Sequence, residues 1–391
     1  MSDTAPPEPD SRAQSLMTGL CAAAIILVPA VAFMFDGPGK PIENRAPAAY
    51  TGLDSGWRSV GSFGQFIADR VPLRANAVRL DAWVDEHVYN EDPAFGGGAS
   101  ARVLRGEQGF LFLADAIENA CAPAAPPASS AANLAELARI VKASGRDVVT
   151  MVAPDKSSVH PELMPQNFGK RECFDQYTAE LWSGLDNARI EGFVDLRTAL
   201  TRESKATREA LYLRKDSHWD SAGSLVAVQA MVDRFAPGLW SDDEVHYQGL
   251  GRYTGDLTGM QGQAQEDDAP IYSIVRPDVT SVSVEVIDDI EGGSNRRFIN
   301  EAPPGRLIPG HTVMFLDSFG LVALPQIVPF FEDLTIIRLV DYEPQKFLLA
   351  IAGADRVWIL CVERGLAYRM ELEIGSRPFL DLLNEQLLPA G

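Results

Sequence analysis

The chain has 391 residues, 46% of them hydrophobic and 23% charged, which supports one large core or two modest ones and argues against a disordered chain or a multi-span membrane protein. Its formal net charge of −20 repels nucleic-acid phosphates, so no nucleic-acid partner is expected. The same charge disfavours non-specific attraction to a polyanion and leaves a neutral acceptor or a locally shaped groove.

Residues 1–15 form a polar tail. Leu16 to Phe35 then runs twenty residues without a charge, enough at helical rise to span a bilayer core of roughly 30 Å. On that length we read 16–35 as an uncleaved membrane anchor. The alternative is a cleavable signal segment, with Ala30-Val31-Ala32 after Pro29 as its cleavage site. Flanking charge does not favour a cytoplasmic N-terminus, because Lys40 and Arg45 follow the segment while Arg12 alone precedes it. Gly37, Pro38, Gly39, Pro41 and Pro47 make 36–50 a linker. The folded body takes up 51–391.

Apolar residues from Phe63 to Val88 recur at helical spacing, and Pro72 divides them into two predicted helices. The Pro/Ala/Ser tract from Ala122 to Ala132 predicts a loop, followed by a helix capped by Ser129 or Ser130 and continuing over Asn133–Ser144. Val148–Val152 is a buried strand, Tyr177–Ile190 a helix, and Phe193–Leu196 a further short apolar run. Between Gln248 and Arg306 the pattern becomes β-rich: Val282 to Val286 alternates with period two, and Gly292 to Asn295 is a turn. We read this stretch as an insertion beside the functional crevice. Strand and helix then alternate: strand Val313–Leu316, helix Leu321–Phe331, strand Leu334–Leu339, helix Gln345–Ile351, strand Val357–Cys361. Such alternation predicts a parallel sheet covered by helices on both faces, with the functional crevice at the carboxyl ends of the strands.

Four cysteines are present. Cys21 and Cys361 lie in apolar runs and read as small buried hydrophobes. Cys121 and Cys173 lie in loop-like surroundings and are the candidate disulfide if the compartment is oxidising. No spacing rule forces that bridge, so two unpaired thiols are the alternative. There is no CxxC and no His pair at helical spacing, so neither a metal nor a cofactor is expected.

Two motifs can carry chemistry. Asp317-Ser318-Phe319-Gly320 follows a buried strand directly and opens a helix, where backbone N–H groups and the helix dipole can stabilise an oxyanion. Alone, Ser318 reads first as a plain helix cap. Asp216-Ser217-His218-Trp219 places an imidazole in a polar loop with a carboxylate two residues away, the partner a histidine needs to hold its tautomer. Each motif supplies what the other lacks: a seryl oxygen needs a base, and a histidine base needs a nucleophile. No GxSxG elbow occurs, which disfavours the common α/β-hydrolase arrangement.

At these residues the chain resembles the SGNH hydrolase-like alginate O-acetyltransferases of the AlgJ/AlgX type. The resemblance is a series of short motifs in order: Glu43-Asn44-Arg45, Phe66 to Arg74, Gly109 to Phe112, Ala153 to Lys156 with Pro161-Glu162 and Pro165, Asp216 to Trp219, Gly255-Asp256-Leu257, Asp317 to Phe319, and Val362-Glu363-Arg364. It covers about residues 43–365. It implies a three-layer α/β/α domain, Ser318 as nucleophile, His218 as base and Asp216 as the orienting acid, with the Asp-x-His before the serine. It also implies acetyl transfer onto an exported polysaccharide, with the domain in the periplasm and the N-terminal segment in the inner membrane. An extracytoplasmic transferase needs acetyl groups carried across the bilayer, so a multi-span membrane acyltransferase is the expected partner. An acetylesterase would use the same triad, and a non-catalytic polysaccharide-binding or export scaffold is the third reading. Leu316-Asp317 stands where many SGNH proteins have Gly-Asp. Lys156 and Arg364, each after a predicted strand, are candidate contacts for acceptor or oxyanion, or else fix their loops in the pairs Asp155-Lys156 and Glu363-Arg364. Trp219 is a candidate platform for a sugar ring, or packs beneath the His218 loop.

Overall fold

The protein is described by a computed structural model over residues 103–165, 168–261, 265–290 and 293–388, together with Leu27 and Phe66. The tail, the anchor or signal segment, the linker, and all but Phe66 of the two helices expected around Pro72 lie outside the described residues. Among the described residues no helix is long and apolar enough to cross a membrane. The chain divides into two compact units, and the larger holds the described residues from Val103 to Thr258 and from Gln265 to Leu388.

The unit opens with an antiparallel pair, β1 (Val103–Arg105) and β2 (Leu111–Leu113), and then α1 (Ala114–Cys121) and α2 (Pro127–Ala143). Helix α2 starts earlier than predicted. Pro127 occupies the first turn, where a missing N–H leaves nothing unsatisfied, so Ser129 and Ser130 lie inside the helix and do not cap it. The chain continues through β3 (Asp147–Ala153), α3 (Lys156–Val159), α4 (Arg171–Asn187), β4 (Phe193–Val194), α5 (Leu196–Thr207) and α6 (Ser221–Phe235). Four strands follow, β5 (Val245–Thr254), β6 (Glu266–Ile274), β7 (Thr280–Ile290) and β8 (Gly293–Glu301). The C-terminal part alternates as predicted: β9 (Ile308–Leu316), α7 (Ser318–Ile327), β10 (Phe331–Arg338), α8 (Pro344–Ala352), β11 (Arg356–Val362), α9 (Glu363–Leu372) and α10 (Arg377–Leu387).

The central sheet has seven strands in the order β4-β3-β11-β9-β10-β8-β7. The first five run parallel, but β8 lies antiparallel to β10 and β7 antiparallel to β8. The sheet is therefore mixed, not purely parallel as the alternation implied. Strands β7 and β8 follow one another as a hairpin, which makes their own pair antiparallel, and β8 joins β10 in the antiparallel sense as well. The β-rich stretch consequently splits: β7 and β8 extend the main sheet, while β5 and β6 form a separate two-stranded ribbon.

Helices cover both faces. Along β9, Val313 and Phe315 face one core with Val357 and Ile359 of β11, under residues of α2, α4, α8, α9 and α10. Met314 and Leu316 face the other, with Trp358 and Leu360, under α5, α6 and α7. The period-two alternation of strand side chains makes this three-layer arrangement. Each such fully buried side chain contributes about 1.5–3 kcal/mol. A third cluster around Leu104, Phe112, Ile117 and Phe174 packs the first hairpin and α1 against the start of α4. There Cys121 and Cys173 form a disulfide, Cα atoms 5.4 Å apart, and Cys361 is a buried free thiol.

Candidate active site

Strands β3, β11 and β9 are neighbours, and all three end at the same sheet edge. Their following residues, Asp155, Glu363-Arg364 and Asp317-Ser318, converge there. Ser318 is the first residue of α7. Asp317 caps the helix, its Oδ1 accepting the Phe319 N–H at 3.0 Å and its Oδ2 the Val362 N–H at 2.5 Å. One carboxylate thus closes the helix start and ties it to the end of β11. Burial pushes the Asp317 carboxyl up, against the pull of these N–H groups and of Arg364.

The histidine arrives on a tight loop. Tyr212 bridges Trp219 across it, and backbone bonds join Leu213 to His218 and Asp220 to Leu211. Asp220 then caps α6, its Oδ1 accepting the N–H groups of Ala222 and Gly223. Position 223 must be glycine in this geometry, because a Cβ there would meet the Leu211 carbonyl oxygen at 2.2 Å. Trp219 locks the loop onto the serine helix. Its Nε1–H donates to the Phe319 carbonyl at 3.1 Å, and its ring packs edge-on against the Phe319 ring.

The loop brings the sequence-predicted trio together. His218 Nε2 lies 2.8 Å from Ser318 Oγ and His218 Nδ1 2.7 Å from Asp216 Oδ1. Asp216 Oδ1 also accepts the His218 N–H at 2.9 Å, and its Oδ2 accepts the Asp256 N–H at 3.0 Å. Burial raises the Asp216 carboxyl, but the His218 ring and the two backbone N–H groups outweigh it and hold the group below its ordinary value.

Asp256, which in the sequence belongs only to the short motif Gly255-Asp256-Leu257, takes a place that spacing does not reveal. Both its oxygens accept from Ser217, the N–H at 2.8 Å and the Oγ–H at 2.7 Å, and Oδ2 lies 3.8 Å from His218 Nδ1. Asp216, His218 and Asp256 are close enough to share an ion. Their ligand atoms already have hydrogen-bond partners, so the donor set is that of a proton network.

The three secondary candidates stand elsewhere. Trp219 has no solvent exposure and cannot receive a sugar ring. Lys156 is buried with its ammonium in a cage of carbonyl oxygens, from Leu111 at 2.7 Å, Leu213 at 2.6 Å and Asp216 at 2.7 Å. It therefore holds β2 and the Asp216 loop together and does not face an acceptor. Burial pushes its pKa down to about 7, against the attraction of Asp216 and Asp256. Arg364 pairs with Asp155, through its guanidinium to Oδ1 and its N–H to Oδ2, and stacks over Phe319. The loop-fixing ion pair thus runs between the ends of β3 and β11, not within either sequence-adjacent pair. Glu363 completes the join, accepting the Asp155 N–H, the Ser158 hydroxyl and the Trp182 indole N–H. Burial, then the Asp155 charge, push its carboxyl up to about 7.

Residues 103–291 match the family model described as the SGNH hydrolase-like domain of the acetyltransferase AlgX. The resemblance carried by the ordered motifs is matched across those residues, which include Asp216 and His218. No curated protein matches the chain. Similar solved structures include the O-acetyltransferase domain of Pseudomonas putida AlgJ, at 18% identity and TM-score 0.46, covering 72% of this chain and 98% of that one. PatB1 of Bacillus cereus is similar at 12% identity and TM-score 0.47, covering 68% and 96%. Pseudomonas aeruginosa AlgX is similar at 13% identity and TM-score 0.42, covering 72% and 66%.

Proposed function

We propose that this protein is a polysaccharide O-acetyltransferase that works through an acetyl-serine intermediate on Ser318. The observation that carries the reading is the continuous hydrogen-bond chain from Ser318 Oγ through His218 to Asp216. In the first half-reaction His218 Nε2 takes the Ser318 proton, Oγ bonds to the donor's acetyl carbon, and the donor leaves with that proton. In the second, a sugar hydroxyl attacks the same carbon, the bond to Oγ breaks, and the hydroxyl's proton returns to Oγ through His218. The negative oxygen of each tetrahedral intermediate would sit at the start of α7, where the first-turn N–H groups other than that of Phe319, which Asp317 takes, have no acceptor inside the helix.

The AlgX-type match supports acetyl transfer as the reaction and a polysaccharide as the acceptor. The Cys121–Cys173 bridge suits an oxidising compartment. It supports the periplasm as the site of action; there a membrane acyltransferase would deliver the acetyl group, and the uncharged run 16–35 would hold the enzyme at the inner membrane. Cells carrying Ser318→Ala should make the polymer without its O-acetyl groups while accumulating the protein at normal levels, as read by NMR of the purified polysaccharide. Normal polymer acetylation in that strain would refute the proposal.

A further inference from the structure

A cavity of about 730 Å³ reaches the candidate triad at Asp216, with neither His218 nor Ser318 in its lining, and is not used by the chemistry above. Asp216 lines it, as do the turn after α3, the loop before Asp216 and the β5–β6 ribbon. Three features suit it to carbohydrate. Tyr247, 57% exposed, stands on the ribbon with its ring 5.4 Å from that of Tyr272, and Leu250 beside it is 68% exposed. Aromatic faces of this kind cover the C–H faces of a pyranose. The cavity also contains a buried polar group with spare capacity. His160 is 4% exposed, and its Nδ1 lies 3.0 Å from Glu162. Its Nε2 is buried without a hydrogen-bond partner among the described residues. A buried nitrogen left unpaired is costly, and a sugar hydroxyl can serve it as donor or acceptor.

The third feature is charge. Six carboxylate side chains line the cavity against four from lysine and arginine. A groove that holds a polyanion needs the opposite balance, since like charges at the wall repel the ligand and slow its approach. The −20 charge of the whole chain adds to the repulsion.

We infer that this cavity holds the sugar units next to the one being acetylated, and that its charge selects an uncharged glycan over a polyuronate. The inference rests on the reading of Ser318 as the acetyl carrier. It is tested on the full-length protein with 4-nitrophenyl acetate as donor and two acceptors of equal length, a hexasaccharide of neutral glucose units and a hexasaccharide of uronic acids. The neutral acceptor should show kcat/KM at least about tenfold higher at low salt, with the gap narrowing as salt screens the repulsion. Tyr247→Ala, a change at a half-exposed position, should raise KM for the neutral acceptor by about tenfold, with the effect in KM and not in kcat. Nitrophenolate release that depends on Ser318, together with equal or better use of the uronate, would overturn the inference alone. So would a KM untouched by Tyr247→Ala. Release independent of Ser318 would overturn the triad reading, and the inference with it.

Discussion

Asp216 uses both carboxylate oxygens, one for the imidazole and backbone of His218 and one for the amide of Asp256. That double commitment fixes which nitrogen of His218 faces Ser318. Asp216→Asn keeps the shape but can present an amide N–H to Nδ1, favouring the tautomer that cannot accept the serine proton. We expect kcat to fall by about 10³–10⁴-fold. The same variant has a signature in stability. The folded state holds the Asp216 carboxyl below its ordinary value, so the folded protein binds that proton less readily than the unfolded chain. Its contribution is complete above the unfolded value, about pH 3.9, and is lost as pH falls through the lower folded one. Asp216→Asn should therefore flatten the acid limb of a Tm–pH curve. An unchanged acid limb would mean that the carboxylate is not held as described. These two residues could be paired from sequence because they lie two positions apart. Asp256, which also borders His218, could not, because 38 residues separate it from His218 and only folding brings it near.

At the scale of elements, the site is a junction of strand ends held by groups that do no chemistry themselves. Asp317 ties α7 to β11, Arg364 and Glu363 tie β11 to β3, and Lys156 ties β2 to the Asp216 loop. Lys156→Met would take this donor from four carbonyl oxygens, those of Leu111, Leu213, Arg214 and Asp216. It should cost about 3 kcal/mol of stability and lower kcat by about tenfold or more through a looser Asp216 loop. Chemical denaturation and steady-state kinetics on one preparation check both. Full activity at reduced stability would show that the cage supports the fold but not the loop. The sequence left Lys156 between a substrate contact and a loop-fixing role, and the carbonyl partners that decide for the second could not be read from it. Trp219 was open in the same way, since an aromatic beside a catalytic motif can be a sugar platform or loop packing, and its burial against Phe319 decides for packing. The strands themselves were legible, because Val313–Leu316 and Val357–Cys361 are short apolar runs with no competing period.

Over the whole molecule, the parallel strands and their helices followed from alternation. The mixed character of the sheet did not, since a period-two segment such as Val282–Val286 does not say which neighbour it will join. The Cys121–Cys173 bridge closes a loop of sequence separation 52 across the satellite cluster that carries β2. Its reduction should cost about 2–4 kcal/mol and lower Tm measurably, and a Tm insensitive to reductant would remove the bridge as an argument for an oxidising compartment. Acetyl transfer by this protein depends on one covalent event. Protein incubated with 4-nitrophenyl acetate, quenched in acid and digested, should yield the peptide containing Ser318 with one added acetyl group by mass spectrometry. The same peptide from His218→Asn should remain unmodified. An acetyl group found on another residue, or nitrophenolate released at the wild-type rate by the His218→Asn protein, would contradict it.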